Sequence, residues 1–351
     1  EDSGGGFAVS PNMQKVVDKL NELAAEVPSG AAWTASRAKE LDAMSLADFI
    51  APYDLDAMDL LSFDVGFRLT DTMHYQKISL LYALSRINYA GSYEQLEGFT
   101  GGAQEQRIEN GSQYISEVMA QQIGAKLRLT SPVREITGWD SDVVTVHSDG
   151  GVFRARRVII AMPPALCNNI QFQPEPPQSR KEVQQRWPGY SPGRKTCHVY
   201  ERPFWRDMGY NGWFFTIGGE VMWAYDNSPE DGSIGVLNAF IYPSMPSDPD
   251  VLGPKLANMY ASAFGDEALR YTEFHDQDWG EEPWCPACVA PLSPGFLTSG
   301  LMPALREPVG GLVWSGTETA EIWHTYMDGA VRSGHRAALE ALHGLSKSGR
   351  G

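Results

Sequence analysis

The residues best suited to chemistry lie in the last quarter of the chain, where a turn of small residues precedes a helix. The turn Gly316–Ala320 is followed by Trp323 and then by Tyr326, which opens a predicted helix ending at Leu342. Such a turn gathers unpaired backbone N–H groups at the positive end of the helix dipole, which suits an electron-rich ligand edge. Tyr326 would lean over the same spot. The sequence therefore predicts a ligand site at the start of the terminal helix.

A lysine in the middle of the chain is a second candidate. Lys195 lies in the segment Gly193–Tyr200, shortly before the triplet Pro203-Phe204-Trp205. A fixed ammonium group can stabilise negative charge that develops during a reaction. A lone lysine that follows a Pro-Gly loop is more often a solvated surface residue. The residues alone leave both interpretations open.

Length and charge limit what positions these residues. A chain of 351 residues is too long for one small core and suggests two domains. The net charge of −16, from 28 basic and 44 acidic residues, argues against nucleic acid and anionic membranes as partners. It mildly favours cationic substrates such as amines, although an ordinary acidic surface is the plainer interpretation. The ten tryptophans indicate either a well-filled core or an aromatic-lined pocket.

The four cysteines, Cys167, Cys197, Cys285 and Cys288, are too few for a disulfide scaffold. Cys285 and Cys288 form a C-x-x-C pair in proline-rich coil, and zinc would need further ligands at suitable spacing, so no metal site is predicted. The pair is interpreted as two partly buried thiols or a local disulfide. No apolar stretch is long enough to span a bilayer. We expect a soluble, cytoplasmic protein.

The first 90 residues read as mostly helical, with Ser10 and Ser45 as N-caps and Lys77–Ile87 as a buried helix. Ser112 is predicted to cap a further helix. The apolar face of that helix would consist of Ile115, Val118, Met119 and Ile123.

Strand-like runs follow, with a hairpin turn at Ser148–Gly151. The first group is Lys126–Leu129, Val133–Ile136, Val143–His147 and Val152–Ile160. The wholly apolar run Val158–Ala161 is expected of a strand that is buried on both faces. The second group, which predicts an antiparallel sheet, is Cys197–Tyr200, Gly212–Thr216, Val221–Tyr225 and Ile234–Phe240. A helix over Pro254–Phe264 and a short strand at Val313–Gly316 complete the pattern.

Several of these segments together resemble the flavin-dependent amine oxidases, the monoamine oxidase family. The resemblance rests on Gly316–Val331, on Arg154–Pro164, on Ser131–Val133 and on Gly193–Trp205, in the family's order. It extends from about Ala31 to Leu342. The resemblance implies FAD as the cofactor, held non-covalently rather than through a thioether.

The resemblance implies roles for individual residues around that flavin. Lys195 would hold a water at flavin N5, and the backbone at Met327 would contact the pyrimidine edge of the ring. Trp279 would lie beside the ring, and the backbone at Val133 would pack against adenine. The turn residues Gly316, Thr317 and Glu318 would complete the cofactor site.

On the substrate side, the resemblance makes Tyr326 one of two aromatic walls that orient a neutral amine, with Gln104 lining the cavity. Cys288 falls on the family's covalent-flavin cysteine, but Val289 stands where the family has its second tyrosine. Half of the aromatic cage is therefore missing unless Trp284 or Trp323 supplies the second wall.

One part of the family pattern is absent. Members open with a strand, a Gly-x-Gly-x-x-Gly turn and a helix that hold the FAD pyrophosphate, and no such fingerprint occurs in this chain. We therefore expect a mixed α/β fold of two interleaved domains, one of them an incomplete Rossmann-like FAD-binding domain. Its pieces would be residues 100–184 and 283–345. The substrate domain, with an antiparallel sheet and helices, would comprise residues 1–99 and 185–282, and residues 346–351 would form a tail.

The implied function is FAD-dependent oxidative deamination of an amine by O2, giving an imine or aldehyde, ammonia and H2O2. The missing fingerprint implies that activity needs an N-terminal segment, a partner chain or a homo-oligomer. One alternative is a truncated substrate-binding module that does not hold FAD. Another is an L-amino-acid oxidase of the same fold, which would need an arginine for the substrate carboxylate; Arg68, Arg86 and Arg194 are available.

Overall fold

The computed structural model describes residues 10–71, 73–98, 101–188, 193–216, 220–242, 244–286 and 291–348. These residues fall into two compact units. The first lies within Leu55–Tyr75 and Tyr190–Pro291, and the second within Ser10–Asp54, Gln76–Gly189 and Leu292–Gly351.

The described residues form helices and strands in alternation, as the mixed α/β prediction requires. The helices are α1 Pro11–Ala24, α2 Ala38–Ala43, α3 Leu46–Ile50, α4 Ala57–Asp71, α5 Leu80–Ala90, α6 Tyr93–Glu97, α7 Gln113–Ile123, α8 Gln178–Arg186, α9 Pro249–Phe264, α10 Met302–Arg306 and α11 Met327–Ser348. The strands are β1 Val133–Thr137, β2 Val144–Ser148, β3 Gly151–Ala155, β4 Val158–Ala161, β5 Gln171–Gln173, β6 Arg194–Tyr200, β7 Val221–Asp226, β8 Gly235–Ile241, β9 Glu273–Asp278 and β10 Leu312–Ser315.

The first unit is built on an antiparallel sheet of order β7-β8-β6-β9. Helix α9 begins where the Asp248 side chain accepts the N–H of Asp250, and Pro249 occupies its first position. Its apolar residues Leu252, Leu256 and Tyr260 recur every four positions and are fully buried. They join the strand residues of one sheet face in a single core. The predicted antiparallel sheet is confirmed.

The second unit is centred on helix α5. The Ser79 side chain accepts the N–H of Tyr82 and so caps the helix, which begins at Leu80, three residues after the predicted start at Lys77. The Ser79 hydroxyl also donates to Asp42 at 2.7 Å, and Asp42 accepts from the N–H and hydroxyl of Thr298. These bonds tie α5 to α2 and to the coil that precedes α10. The predicted buried helix is confirmed from Leu80 onward.

The second unit also contains two small sheets. One has the order β3-β2-β1-β5 and includes the predicted hairpin, in which Ser148 pairs with Gly151. The other is the parallel pair β10-β4, against which α11 packs. The predicted strand Val152–Ile160 is wrong, because it is two strands, β3 and β4, in different sheets. Two extended segments can be read as one when a two-residue break carries no glycine or proline.

The expectation that Val158–Ala161 is buried on both faces is also wrong. Only Ile160 is buried, whereas Ile159 is 42% exposed. Lys126–Leu129 is not a strand, since Gly124–Lys126 forms a 3-10 turn. Gly212–Thr216 is reduced to a single bridge from Phe214 to Ala224 among the described residues. Short apolar runs do not by themselves establish a pairing partner.

Helix α7 forms as predicted, but its surroundings differ from the expectation. Ser112 is its N-cap residue, yet no side-chain capping bond is present. None of its residues is buried, and Ile115, Met119 and Ile123 are 37%, 52% and 46% exposed. The apolar face of α7 is therefore uncovered by the part of the chain that the structure describes.

The compact units do not follow the predicted domain pieces at every boundary. Residues 10–54 and 76–98, which were assigned to the substrate side, belong to the same compact unit as residues 101–188. The assignment of one domain to the substrate and the other to FAD concerns function and stays a prediction.

Candidate functional site

The turn after β10 is the centre of the site in the second unit. Strands β4 and β10 are parallel, so their carboxyl ends lie at one edge, where ligands bind in open α/β sheets. Gly316 follows β10 with φ of 112°, a conformation that favours glycine. Its N–H donates to the Ser333 hydroxyl at 3.1 Å, and the Thr317 hydroxyl donates to the Tyr326 carbonyl at 2.9 Å. These bonds fix the turn against the start of α11.

The first turn of α11 presents backbone donors. Ala330 donates to the Tyr326 carbonyl, whereas the N–H groups of Met327, Asp328 and Gly329 have no hydrogen-bond partner among the described residues. A Cβ on Gly329 would lie 2.1 Å from the Trp323 carbonyl oxygen, so only glycine fits this close approach. The Met327 side chain is 46% exposed. Three donors at the positive end of a 22-residue helix are suited to an acceptor edge of a ligand.

The segment before α11 has an unusual backbone. Trp323 and Thr325 have φ of 54° and 74°, although neither is glycine. Such conformations cost on the order of 1–3 kcal/mol each and cluster at functional sites, particularly for a β-branched residue. They place the Trp323 ring edge-on to the Tyr326 ring, with centroids 5.2 Å apart. Trp323 is therefore a direct neighbour of Tyr326, and its role as a second aromatic wall stays a prediction.

Glu318 is folded back over the turn. A Cβ added to Gly316 would lie 3.1 Å from Glu318 Oε2 and 3.7 Å from the Met162 carbonyl oxygen. Burial raises the pKa of Glu318. A carboxyl group with a raised pKa takes up a proton more readily and can then donate a hydrogen bond.

A cluster of polar and aromatic side chains from α5 contacts the same segment. Arg86 is fully buried, and its Nη2 donates to the Tyr326 hydroxyl at 3.3 Å. Its Nε donates to the Tyr89 hydroxyl at 3.2 Å, and Tyr89 donates to the His324 carbonyl at 3.1 Å. The His324 ring lies edge-on to the rings of Tyr82 and Tyr89. Burial, followed by the charges of Arg86 and Arg306, lowers the pKa of His324 to about 3, so the imidazole is neutral near pH 7.

Sequence reasoning missed this cluster, although a signal was present. Tyr82, Arg86 and Tyr89 are spaced i, i+4 and i+7, which puts them on one face of α5. A buried helix that carries an arginine and two tyrosines on one face must satisfy those polar groups. The sequence did not show that their partners would come from residues 324 and 326, some 240 positions along the chain.

The first unit presents Lys195 on the sheet face opposite α9. Along β6 the residues alternate, so Arg194, Thr196 and His198 are buried while Lys195 is exposed within the unit. Lys195 pairs across the sheet with Phe240, and its Nζ lies 4.5 Å from the centre of that ring. The contact is a cation–π interaction.

The same face carries a stack of aromatic rings. Trp223 stacks on Tyr225 with centroids 4.4 Å apart and lies 6.2 Å from Phe240 at an interplanar angle of 11°. Trp213 lies edge-on to Trp223 at 5.5 Å. These rings form an aromatic cluster next to Lys195, in which Trp223 is buried.

Other predicted site residues fall in different places. Trp279 follows β9 and lies in the same unit as Lys195. Its backbone N–H donates to the Gly193 carbonyl at 3.0 Å, and the residue is 39% exposed. Trp284 also lies in the first unit and is 64% exposed. In the second unit, Val133 begins β1, and the half-buried Gln104 donates its N–H to the Gly98 carbonyl. Cys288 lies outside the described residues.

The structure thus gathers Gly316, Thr317, Glu318, Trp323, Tyr326 and Met327 in the second unit, and Lys195 and Trp279 in the first. Among the described residues, no group of three or more His, Cys, Asp or Glu side chains is arranged to hold a metal ion. In the same part of the chain, no helix combines the length and apolar character that a bilayer crossing requires.

Comparisons with known proteins agree on one family. The family model for flavin containing amine oxidoreductases matches residues 12–342. AofH of Mycobacterium tuberculosis, which is named as a flavin-containing monoamine oxidase, is 36% identical over 332 residues, covering 92% of this chain and 71% of AofH. Flavin-containing amine oxidase B of Canis lupus familiaris is 31% identical over 338 residues, covering 93% of this chain and 64% of that protein.

Solved structures give the same result for the fold. Cyclohexylamine oxidase from Brevibacterium oxydans superposes with a TM-score of 0.85 at 28% identity, covering 97% of this chain and 77% of the other. Putrescine oxidase bound to putrescine superposes with a TM-score of 0.86 at 27% identity, covering 97% of this chain and 78% of the other. The chain therefore spans between 64% and 78% of the length of these four relatives.

Proposed function

The chain belongs to the flavin-containing amine oxidoreductase family, and on that premise we propose that it takes part in the FAD-dependent oxidation of an amine by O2. The products would be an imine, hydrolysed by water to an aldehyde and ammonia, and H2O2. The observation that carries the proposal is the junction of β10 and α11. There, the Thr317 hydroxyl of the turn bonds the Tyr326 carbonyl, next to three N–H groups of α11 that have no hydrogen-bond partner among the described residues.

The residues at this junction fit a flavin. Backbone donors at the start of α11 would bind an acceptor edge of the ring at Met327, and the turn Gly316–Glu318 would border it. Bound FAD supplies two-electron oxidation of a C–N bond, with O2 as the final acceptor. Val133 and Trp279 are further candidates for contacts with the cofactor. A thioether at Cys288 is not part of the proposal.

The side chains of the protein would orient the substrate amine and stabilise the charge that develops on it or on the cofactor. Tyr326, with Trp323 edge-on to it, would orient the neutral amine, with Gln104 lining the cavity and Trp284 as an alternative second wall. Lys195 would hold a water molecule through its ammonium group and stabilise negative charge that develops during the reaction. The aromatic face that contains Phe240 would exclude bulk water from that ammonium.

Holding the pyrophosphate requires more than this chain provides. No Gly-x-Gly-x-x-Gly turn occurs in the sequence, and the relatives are longer than the region that they share with it. Ile159 of β4 and Val331 of α11 are 42% and 53% exposed, and α7 has no buried residue. We infer that activity needs an additional segment or partner chain that carries the glycine-rich βαβ unit and covers such surfaces.

The amino-acid oxidase alternative receives less support. Arg68 bonds Asp64 at 2.6 Å, Arg194 forms a buried pair with Asp276, and Arg86 bonds two tyrosine hydroxyls. Each guanidinium that was considered for a substrate carboxylate therefore has other contacts.

The test is reconstitution. The chain is purified alone and together with a separately expressed segment of AofH from outside the region that the two proteins share, in each case with FAD. We expect flavin absorbance in the complex and peroxide release with primary amines, and lower release with L-amino acids. The Tyr326→Phe and Lys195→Met variants should bind the segment normally but oxidise amines more slowly, since general positioning and electrostatic groups contribute about 10²–10³-fold.

Two results would decide against the proposal. A colourless complex that gives no peroxide with any amine would favour the substrate-binding module. Peroxide release with amino acids in preference to amines would favour the amino-acid oxidase. The matched control is Lys255→Met, which removes a lysine of the first unit that pairs with Glu220 on the surface.

A further inference from the structure

The side chain of Arg86 is held by two phenol oxygens at once. Its Nε and Nη2 donate to the hydroxyls of Tyr89 and Tyr326 at 3.2 Å and 3.3 Å. Its guanidinium carbon lies 5.8 Å from the centre of the Tyr326 ring and 6.0 Å from the centre of the Tyr82 ring. Arg86 is 0% exposed, so these contacts are made away from solvent.

The second phenol fixes the direction of the first bond. Tyr89 uses its own proton to donate to the His324 carbonyl at 3.1 Å, which leaves its lone pairs to accept from Arg86. The guanidinium is a rigid planar fork, so a bond at Nε sets the plane in which Nη2 must donate. Arg86 therefore presents one N–H to Tyr326 in a direction determined by α5 and by the backbone at His324.

Tyr326 is anchored at the hydroxyl end of its ring as well as at its backbone. The two preceding segments of backbone, at Trp323 and Thr325, are in left-handed conformations that cost free energy. On the other side, the Tyr326 carbonyl is held by Thr317. The hydroxyl end of the ring is anchored by Arg86, while its edge contacts Trp323.

We propose that Arg86 is a positioning residue for Tyr326, and that it fixes the orientation of the phenol ring that faces the substrate amine. The inference rests on the proposed function for the identity of the substrate, but the contact itself is independent of that function. Arg86 acts through Tyr326 and does not touch the reacting atoms. Its removal should leave the fold of the second unit intact and release the Tyr326 hydroxyl.

The first test needs no cofactor. The full chain is labelled with ¹³Cζ-tyrosine, and the signals of Tyr326 and Tyr89 are assigned with Tyr326→Phe and Tyr89→Phe. Arg86→Gln should shift both signals by more than their line width. Arg86→Lys should restore at most one of them, because an ammonium group on a single stem cannot reproduce the fork. Signals that stay in place in folded Arg86→Gln would overturn the proposal.

The matched control is Arg180→Gln. Arg180 is also a buried arginine of the second unit, but its guanidinium lies 3.5 Å from the centre of the Trp314 ring and donates to the carbonyls of Ala304 and Leu305. Its substitution should lower stability without moving the two tyrosine signals. If Arg180→Gln moves them as far as Arg86→Gln does, the shift reports general loosening and the proposal fails.

The second test is a double-mutant cycle in the reconstituted enzyme. Arg86→Gln should lower kcat/KM for the amine about 10-fold in the native background, and should have no further effect in the Tyr326→Phe background. Equal losses in both backgrounds would show that Arg86 does not act through Tyr326. Should the complex give no amine oxidation at all, the proposed function fails, while the tyrosine signals still decide the role of Arg86.

Discussion

Two sheet regions of this chain differ in how completely they bury their apolar residues. In the first unit, the sheet β7-β8-β6-β9 has one face covered by α9, whose Leu252, Leu256 and Tyr260 are fully buried. In the second unit, the parallel pair β10-β4 has α11 packed against it, but Ile159 of β4 remains 42% exposed. The first sheet completes its core with its own residues, and the second does not.

The difference follows from sheet type. An antiparallel sheet can bury one face and leave the other available, whereas parallel strands occur almost only where both faces are covered. A two-stranded parallel pair with an exposed apolar residue departs from that pattern. The other face of the first sheet carries the exposed Lys195 beside an aromatic stack. The exposed part of the second unit carries aliphatic residues and suits further polypeptide.

Alanine substitutions in α9 and in α7 should differ widely in their cost to stability if one core is closed and the other is open. Leu256→Ala should cost about 2–5 kcal/mol of unfolding free energy, because it leaves a cavity in a closed core. Met119→Ala, on the exposed face of α7, should change the unfolding free energy by about 0.5 kcal/mol or less. Urea unfolding and hydrogen exchange of the two helices measure both values.

The two substitutions should differ in the opposite sense in their effect on binding of the glycine-rich segment. If that segment covers α7, Met119→Ala should then weaken its binding, while Leu256→Ala should not. Equal costs for the two substitutions in the chain alone would show that α7 is already buried by residues of this chain. The comparison between closed and open cores would then be wrong.

The elements that could be predicted from the sequence carry their signals locally. Ser10 caps α1 as predicted, and the hairpin between β2 and β3 follows from Asp149-Gly150 at its turn. The exposure of Ile159 could not be predicted, because an apolar run indicates that burial of a strand is favourable but does not show which residues bury it. Whether Ile159 is buried depends on other polypeptide segments that pack against β4.

In the candidate site, too, local features could be predicted from the sequence and tertiary contacts could not. The run from Gly316 to Tyr326 was predicted because its turn and helix start are contiguous in sequence, and the structure brings those residues together. Lys195 lies two residues before the predicted strand Cys197–Tyr200, whereas the structure includes it in β6. Its contact with Phe240 depends on the register between β6 and β8, which no local signal gives. Arg86 was noted only as a possible ligand for a carboxylate, since its contact with Tyr326 is tertiary.

The stability of the first unit should depend on pH through its buried histidine, His198. His198 lies in the closed core of the first unit, where its Nε2 bonds the Gly253 carbonyl at 3.0 Å and its Nδ1 has no hydrogen-bond partner. Burial lowers the pKa of His198 to about 4, below the value of about 6.5 in an unfolded chain. The unfolded state therefore binds the proton first as the pH falls. The stabilising contribution is complete above about pH 6.5 and is lost toward pH 4, by up to about 3 kcal/mol.

The measurement compares unfolding free energies at about pH 7 and pH 4.5 for the native chain and for His198→Phe, with hydrogen exchange of β6 as the local readout. Phenylalanine suits the aromatic surroundings of Tyr200, Tyr260 and Phe274, and it does not titrate. The variant should lose less stability on acidification than the native chain. An unchanged pH dependence would mean that other groups, such as His324, account for the acid sensitivity.

Substitutions of two N-cap serines should change stability least. They test whether the start of α7 lacks a stabilising capping bond. Ser45 and Asp48 form a reciprocal capping box at the start of α3, with the Ser45 hydroxyl accepting the Asp48 N–H at 3.1 Å. Ser112 occupies the same position at α7 but accepts no capping bond. Ser45→Ala should therefore cost about 1 kcal/mol, and Ser112→Ala only a few tenths. If Ser112→Ala proves as costly in the chain alone, its hydroxyl caps α7 in solution, and α7 is held at its N-terminus even though its apolar face is uncovered. A cost that appears only when the glycine-rich segment is bound would show that the segment orders the start of α7 as it covers the helix.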